Sequence, residues 1–284
     1  MRLDDFDPNS INIEDQRGRG FSLGGAGGKV GCGSIVIALI AALVFGVDPG
    51  QMLGTMQGAD TGPVATQGGT NATESCSVDA VSRESCNALS SLNRTWSPLF
   101  ESAGIAFTPP KLVFYSQMGR SGCGAAQSAM GPFYCPTDQG IYIDTDFYRE
   151  LEQRMGAGGD FARVYVMAHE YGHHVQALTG LADQIRSAQS QNPSAANRLQ
   201  VAMELQADCY AGVWAGRNRE RIEPGDIEEG LTAAHAIGDD VLTGGRAPEA
   251  SFTHGSAAQR MEWLRRGIQT ADEDQCDTLA EFRR

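Results

Sequence analysis

Positive charge is scarce in this chain. Its 284 residues carry 22 Lys and Arg against 35 Asp and Glu, which gives a formal net charge of −13 at pH 7. Proteins that bind nucleic acid neutralise the phosphates with clustered Lys and Arg. The charge balance therefore excludes nucleic acid as a partner, while the length allows one sizeable core with accessory segments.

A phosphate-binding loop is also absent. The glycine-rich run Gly24-Gly-Ala-Gly-Gly-Lys29 resembles one superficially, but Val30 stands where such a loop needs Ser or Thr. No strand is predicted ahead of this run, although the motif requires one. The sequence therefore predicts no nucleotide partner.

Residues 30–47 contain no ionisable side chain except that of Cys32. As a helix this apolar stretch would be about 27 Å long, which is close to the thickness of the hydrocarbon layer of a membrane. A secretory signal peptide is one alternative, but residues 1–29 precede the stretch and no clear cleavage site follows it. A buried core helix is another, but the stretch has no polar face. We therefore predict one transmembrane helix.

Positive residues flank the apolar stretch on one side only. Arg2, Arg17, Arg19 and Lys29 precede it, and the next positive residue after it is Arg83. The positive-inside rule then places the N terminus in the cytoplasm and the bulk of the chain outside.

The rest of the chain divides by composition. Residues 1–29 are polar and glycine-rich with no periodic apolar pattern, which predicts a disordered cytoplasmic tail. Residues 48–75 contain no aromatic residue and no Lys or Arg, which indicates a flexible linker. Residues 76–284 have a globular composition and are predicted to form the folded domain.

Hydrophobic periodicity predicts a helix-rich α+β domain with a small sheet. Apolar runs between Pro and Gly turns predict strands over 111–115 and 140–144. The second strand could be an edge on which an extended peptide pairs, or it could simply pack in the core. The predicted helices are 81–100, 145–154, 161–178, 197–218, 224–237 and 256–267.

His169, Glu170 and His173 form an HExxH motif within the predicted helix 161–178. Four residues turn a helix by about 400°, so the two imidazoles project from one face and can converge on one cation. Glu170 lies about 100° round the helix, where its carboxylate can take a proton from a water at the site. A buried helix with two incidental histidines is the alternative, but the motif at helical spacing favours a metal site.

A hydrolytic zinc site usually has three protein ligands. The metzincin pattern needs Gly and His three and six residues after the second His, where Gln176 and Thr179 stand. Glu204 can serve as the third ligand, and Asp208 can accept a hydrogen bond from the outer nitrogen of a ligating His. A solvated acidic stripe is the alternative, but the neighbouring residues are too apolar for an exposed helix.

Two further histidines lie near these motifs. His254 precedes the predicted helix 256–267 and could donate a hydrogen bond to the oxyanion of a tetrahedral intermediate. A capping or buried structural histidine is an equally good interpretation. His174 faces about 100° away from His173 and is expected to be structural.

In these motifs the sequence resembles a family of bacterial neutral zinc metallopeptidases anchored by one N-terminal membrane span. The resemblance covers nearly the whole chain except the linker, and it implies a zincin-like metallopeptidase fold, Zn²⁺ as cofactor and a membrane location. Besides the apolar stretch, the matching segments are IEDQRG (13–18), GCG (122–124), GPFYCP (131–136), IYID (141–144), HEYGHHVQ (169–176), ELQADC (204–209), EPGDIEE (223–229), AIGDD (236–240) and FTHG (252–255).

Six of the seven cysteines follow the apolar stretch, an even number that suits an oxidising compartment. We pair them on two grounds. Cys123 and Cys135 bracket a glycine-rich loop, and the family resemblance implies a pattern of pairs. The expected disulfides are Cys123 with Cys135, Cys209 with Cys276, and Cys76 with Cys86, the last by elimination and outside the family pattern.

We predict a membrane-tethered, extracytoplasmic zinc metallopeptidase that acts on a peptide or protein. His169, His173 and Glu204 would bind Zn²⁺, and Glu170 would activate water for attack on a peptide carbonyl. Two alternatives are a non-catalytic envelope module that keeps zinc for stability and a zinc amidase that acts on cell-wall crosslinks. An intact Glu170 argues against the first, because a structural zinc site needs no base.

Overall fold

The computed structural model of the protein describes residues 1–18, 71–127, 131–148, 153, 156 and 158–283. In these ranges the strands are β1 (Asn12–Asp15), β2 (Lys111–Tyr115), β3 (Met118–Ser121), β4 (Gly124–Gln127), β5 (Phe133–Cys135) and β6 (Gly140–Asp144). The α-helices are α1 (Ala72–Cys76), α2 (Ala80–Ser102), α3 (Asp160–Leu178), α4 (Leu181–Gln191), α5 (Ala196–Arg217), α6 (Asp226–Ala236), α7 (Asp239–Leu242) and α8 (Ala257–Thr270). The predicted helix-rich α+β class is confirmed.

The main sheet has four strands in the order β1-β2-β6-β5. β1, β2 and β6 are parallel, whereas β5 runs antiparallel to β6 and forms one edge. The near-continuous apolar sequences of β2 and β6 fit central strands, because both of their faces are covered. Both strand predictions are confirmed, but β6 lies inside the sheet and cannot be the edge on which a peptide pairs.

The helices pack around α3, whose apolar residues are buried among side chains of α2, α5 and α6. The helices predicted over 161–178, 197–218, 224–237 and 256–267 correspond to α3, α5, α6 and α8. α2 continues through Pro98 to Ser102, because Trp96 and Phe100 on either side of the proline are buried in the core. α4 was not predicted and buries only Ala182 and Ile185. Half of the ten residues in the helix predicted over 145–154 lie outside the described ranges.

Residues 1–18 belong to the folded domain, so the prediction of a disordered tail is wrong for them. Ile11 and Ile13 are buried, and β1 pairs with β2 along its whole length. The α-amino group of Met1 donates to the buried carboxylate of Asp226 at 2.8 Å. The segment carries too few apolar residues to indicate a strand by itself, and its order comes from pairing with β2.

The family motif at 13–18 supplies further contacts that hold β1 in place. Gln16 makes two hydrogen bonds to the backbone of Arg120, accepting from its N–H at 2.8 Å and donating to its carbonyl at 2.9 Å. The guanidinium of Arg17 lies over the ring of Phe114, 4.6 Å from its centroid. These contacts join the motif to both sheets of the domain.

Two other predictions concern the segment between the N-terminal strand and the helical domain. Asn71 caps α1 by accepting a hydrogen bond from the N–H of Thr73, so residues 72–75 are helical and do not belong to a flexible linker. The predicted transmembrane helix, residues 30–47, lies outside the described ranges. None of the helices that the structure describes is long and apolar enough to cross a membrane.

Disulfides join distant parts of the described chain. The three expected pairs are all formed: Cys76–Cys86, Cys123–Cys135 and Cys209–Cys276. The third bridge spans 67 residues and connects the C-terminal segment to α5, the helix that carries Glu204 and Asp208.

Candidate metal centre

Helices α3 and α5 approach each other closely at Gly172, inside the HExxH motif. A Cβ atom on this glycine would lie only 2.9 Å from the Cα atom of Ala207, so any larger residue would push the helices apart. The contact sets the face of α3 that carries His169 and His173 against the face of α5 that carries Glu204. Gly172 therefore allows two separate sequence motifs to form one site.

Three side chains converge between these helices. Oε2 of Glu204 lies 3.2 Å from Nε2 of His169 and 3.4 Å from Nε2 of His173. The three candidate ligand atoms lie within 4.8 Å of one another, and His169 and Glu204 are buried. Two imidazole nitrogens and one carboxylate oxygen suit a catalytic zinc ion, which keeps a further position open. The structure thus brings together the three predicted ligands.

Asp208 orients His169 from the side opposite the ligand cluster. Its Oδ1 lies 2.8 Å from Nδ1 of His169 and accepts a hydrogen bond from the hydroxyl of Tyr165 at 2.7 Å. The guanidinium of Arg260 donates to both carboxylate oxygens of Asp208 at 2.9 Å. Because an ionised carboxylate can only accept, Nδ1 of His169 carries a proton and Nε2 faces Glu204. This is the role predicted for Asp208.

The charges within the cluster are strongly coupled because the groups are buried. Burial opposes the charge on His169, but the carboxylates of Asp208 and Glu204 raise its pKa to about 10. Burial likewise opposes the charge on Glu204, but mainly the positive charge of His173 holds the pKa of that carboxyl well below its usual range. Metal binding at this site has to displace the proton from Nε2 of each imidazole, whereas Nδ1 keeps its own.

Glu170 lies beside the ligand cluster and is 8% exposed. Burial raises the pKa of its carboxyl, although His169 and His173 act in the opposite direction. The backbone N–H of Tyr134, in the edge strand β5, donates a hydrogen bond to it. A buried carboxylate with a raised pKa is suited to take up a proton and then pass it on.

His254 lies in a loop that packs against α5. A Cβ atom on Gly255 would lie 3.2 Å from the side chain of Leu205, the neighbour of Glu204. Asp239 holds this loop, because its Oδ2 accepts three consecutive backbone N–H groups, including that of His254 at 2.7 Å. The His254 side chain is 17% exposed and interacts electrostatically with the Glu204 carboxylate. The His254 ring is therefore partly exposed and lies near enough to Glu204 to lower the pKa of that carboxyl.

His174 is a structural residue, as the sequence indicated. Its ring is fully buried, with Nε2 donating to the carbonyl of Thr108 at 2.7 Å and Nδ1 accepting from the hydroxyl of Tyr134 at 3.0 Å. Burial lowers the pKa of His174 to about 4, so the ring is neutral at pH 7. One hydrogen bond ties α3 to the edge strand β5, and the other ties it to the loop before β2.

Arg260 is a site residue that the sequence reasoning missed. It is 2% exposed, although its neighbours on the inward face of α8, Ala257 and Leu264, are apolar. An arginine at helical spacing within an apolar stripe is a usable signal, because a buried guanidinium needs an anionic partner. The identity of that partner, Asp208, is visible only in the tertiary structure.

We expect Arg260→Met to lower the free energy of unfolding by about 3–5 kcal/mol, because Asp208 would keep a buried charge without its cation. Zinc affinity should fall by roughly 10- to 100-fold, since His169 would lose its fixed carboxylate partner. Urea unfolding of the metal-free protein with intact disulfides measures the first effect, and chelator competition measures the second. Arg265→Met is the control, because that side chain lies on α8 and is 42% exposed. Wild-type values for Arg260→Met would contradict the role assigned to Arg260.

Comparison with known proteins identifies relatives over most of the chain. The family described as "putative neutral zinc metallopeptidase" matches residues 4–279. The uncharacterized protein YpfJ of Escherichia coli K12 is 45% identical over 284 residues, which cover 95% of this chain and 96% of the relative. The uncharacterized protein Rv2575 of Mycobacterium tuberculosis H37Rv is 40% identical over 258 residues, which cover 84% of this chain and 85% of the relative. No solved structure matches this chain.

Proposed function

This chain belongs to the neutral zinc metallopeptidase family, and from that premise we propose that it is a zinc-dependent peptidase. The observation that supports this most strongly is the convergence of His169, His173 and Glu204 with Glu170 beside them. A zincin-like arrangement is part of the proposal, because the HExxH helix adjoins the antiparallel edge strand of the sheet.

Each polar group of the site has a distinct task in this proposal. Zinc, when bound, supplies a Lewis acid that acidifies water and polarises the substrate carbonyl. Glu170 accepts the proton of the attacking water and delivers it to the departing nitrogen, and the pKa raised by burial helps its carboxyl to hold that proton between the steps. His254 donates a hydrogen bond to the carbonyl oxygen as negative charge develops there.

The edge strand β5 supports a peptide as the substrate. In the part of the chain that the structure describes, β5 pairs with β6 on one side only. The backbone of its residue Tyr134 forms a hydrogen bond with the carboxylate of Glu170. An extended peptide can pair with such an edge through main-chain hydrogen bonds. That pairing would hold a scissile bond next to the base, which is the positioning that hydrolysis requires.

We propose a location outside the cytoplasm for the catalytic domain, with attachment to the membrane through residues 30–47. The three disulfides support an oxidising compartment. The pairing of β1 with β2 favours a topology in which residues 1–18 share that compartment with the domain. This proposal differs from the cytoplasmic N terminus that the distribution of Lys and Arg predicts.

Cysteine labelling tests this topology. In a background with Cys32→Ser, we expect Asn9→Cys and Ser190→Cys, both at exposed positions, to react with a membrane-impermeant maleimide in intact spheroplasts. Ser190→Cys is the internal control for the compartment of the domain. If Ser190→Cys reacts in intact spheroplasts and Asn9→Cys reacts only after lysis, the shared compartment is excluded.

A cleavage assay tests the proposed activity. The zinc-loaded protein, the chelated protein and the chelated protein with zinc restored are incubated with casein, synthetic peptides and peptidoglycan fragments. We expect zinc-dependent cleavage of casein or peptides that is lost on chelation. Cleavage of peptidoglycan crosslinks alone would replace the peptidase with the amidase alternative. Full zinc occupancy with no cleavage of any substrate would favour the non-catalytic module.

A further inference from the structure

A line of buried amide side chains connects His173 to the C-terminal disulfide. Nδ1 of His173 lies 2.9 Å from Oε1 of Gln176, and Nε2 of Gln176 donates to Oε1 of Gln206 at 3.0 Å. Nε2 of Gln206 then donates to the backbone carbonyl of Cys276 at 3.0 Å, next to the bridge with Cys209. Gln176 and Gln206 are 0% and 5% exposed, so water does not compete for these bonds.

We call the chain of hydrogen bonds from His173 through Gln176 and Gln206 to Cys276 the amide relay. The groups at its two ends determine the direction of every hydrogen bond in it. The carbonyl of Cys276 can only accept, so the amide nitrogen of Gln206 must face it and the amide oxygen of Gln206 must face Gln176. Gln176 must in turn present its nitrogen to Gln206, and the same nitrogen donates to the carbonyl of Met203 at 2.8 Å. The oxygen of Gln176 is therefore left to accept a hydrogen bond from the protonated Nδ1 of His173.

The relay thus selects one state of the His173 ring. Nδ1 carries a proton, and Nε2 is directed toward Glu204 at 3.4 Å. A ligating imidazole needs this arrangement, because the outer N–H fixes the ring and the inner nitrogen binds the metal. His169 obtains the same orientation from Asp208.

We propose that Gln176 and Gln206 are positioning residues for the metal, which fix His173 through a relay anchored at the Cys209–Cys276 disulfide. The proposal rests on zinc binding by His169, His173 and Glu204. The two imidazoles are then held by different means, one by a buried carboxylate and the other by neutral amides. Reduction of the disulfide would free Cys276 to move away from Gln206. The hydrogen bonds that orient the His173 ring would then be weakened.

Gln206→Leu tests the proposal, because Gln206 contacts no ligand and leucine keeps most of its volume. We expect zinc affinity, measured by chelator competition, to fall by roughly 10- to 100-fold, as it does when an outer partner of a ligand is lost. Asn93→Leu is the matched control. Asn93 is a buried amide that accepts from the hydroxyl of Tyr171 on α3 without reaching a ligand, so this variant should keep wild-type zinc affinity.

Non-additivity distinguishes a relay from separate structural effects. Gln176→Leu should weaken zinc binding by a similar factor, and the double variant Gln176→Leu/Gln206→Leu should be no weaker than Gln176→Leu alone. The Cys209→Ala/Cys276→Ala pair should weaken zinc binding in the wild-type background but not in Gln206→Leu. Additive losses in these combinations would overturn the relay, as would wild-type affinity in Gln206→Leu.

A measurement on the wild-type protein covers the case in which a variant does not fold. Nitrogen-15 NMR of the zinc-loaded protein should show Nδ1 of His173 protonated and Nε2 bound to the metal; the opposite assignment would overturn the relay. Failure of the relay and failure of the proposed function remain distinguishable. If the wild type binds no zinc, the proposed function fails, whereas zinc binding that depends on Glu204 but not on Gln206 excludes only the relay.

Discussion

Glu170→Gln is expected to bind zinc as the wild type does and to lose hydrolysis almost completely. The substitution keeps the size of the side chain and leaves His169, His173 and Glu204 unchanged, but an amide cannot accept the proton of the attacking water. Loss of a general base reduces rates by roughly 100- to 10,000-fold. Zinc content by metal analysis and initial rates on the peptide found in the cleavage assay measure the two properties on the same sample.

A matched control distinguishes the loss of a general base from the mere loss of one negative charge. Glu84→Gln removes a carboxylate that pairs with Arg163 outside the site, and it should keep the wild-type rate. Wild-type hydrolysis by Glu170→Gln would exclude Glu170 as the base. Loss of zinc from Glu170→Gln would show instead that Glu170 contributes to metal binding.

Glu204→Ala should produce the largest loss of zinc. A catalytic zinc site takes three protein ligands, and this variant keeps only the two imidazoles of the HExxH motif. We expect its affinity to fall by more than the roughly 100-fold that accompanies loss of an outer partner. Asp208→Asn provides a graded comparison, because it weakens the hold on His169 while leaving all three ligands in place. Chelator competition on both variants gives the order of the two effects.

The control for this series is Asn197→Ala, on the exposed side of α5. Its side chain donates to the carbonyl of Ala250, away from the cluster, and its removal should leave zinc affinity unchanged. Full zinc occupancy in Glu204→Ala would remove the third-ligand assignment. An equal loss in Asp208→Asn and Glu204→Ala would show that the two carboxylates do not have the different roles assigned here.

The redox state of the protein should affect these measurements through Cys209–Cys276. This bridge joins α5 to the segment that accepts the last hydrogen bond of the amide relay. Zinc affinities of the variants therefore have to be compared with the disulfides intact.

Local spacing in the sequence was enough to identify the candidate metal-binding residues of this protein. Two histidines four residues apart on one helix must share a face, and Glu204 and Asp208 follow the same rule on α5. Strands β2 and β6 were also predictable as strands, because short apolar runs between turn residues indicate them. Two cysteine pairs followed from position in a loop and from the family resemblance, and Cys76–Cys86 followed by elimination.

The tertiary structure decided how these local patterns meet. β1 is ordered by pairing with β2, from which it is separated by about a hundred residues of sequence, so no local periodicity reveals it. Arg260 becomes the partner of Asp208 because α8 packs against α5, and Gln206 joins His173 to Cys276 across three separate segments. Periodicity describes one element at a time, whereas a hydrogen bond between elements depends on their packing. The sequence by itself therefore determined which residues can bind a metal, and the packing of the helices decided which residues hold them in position.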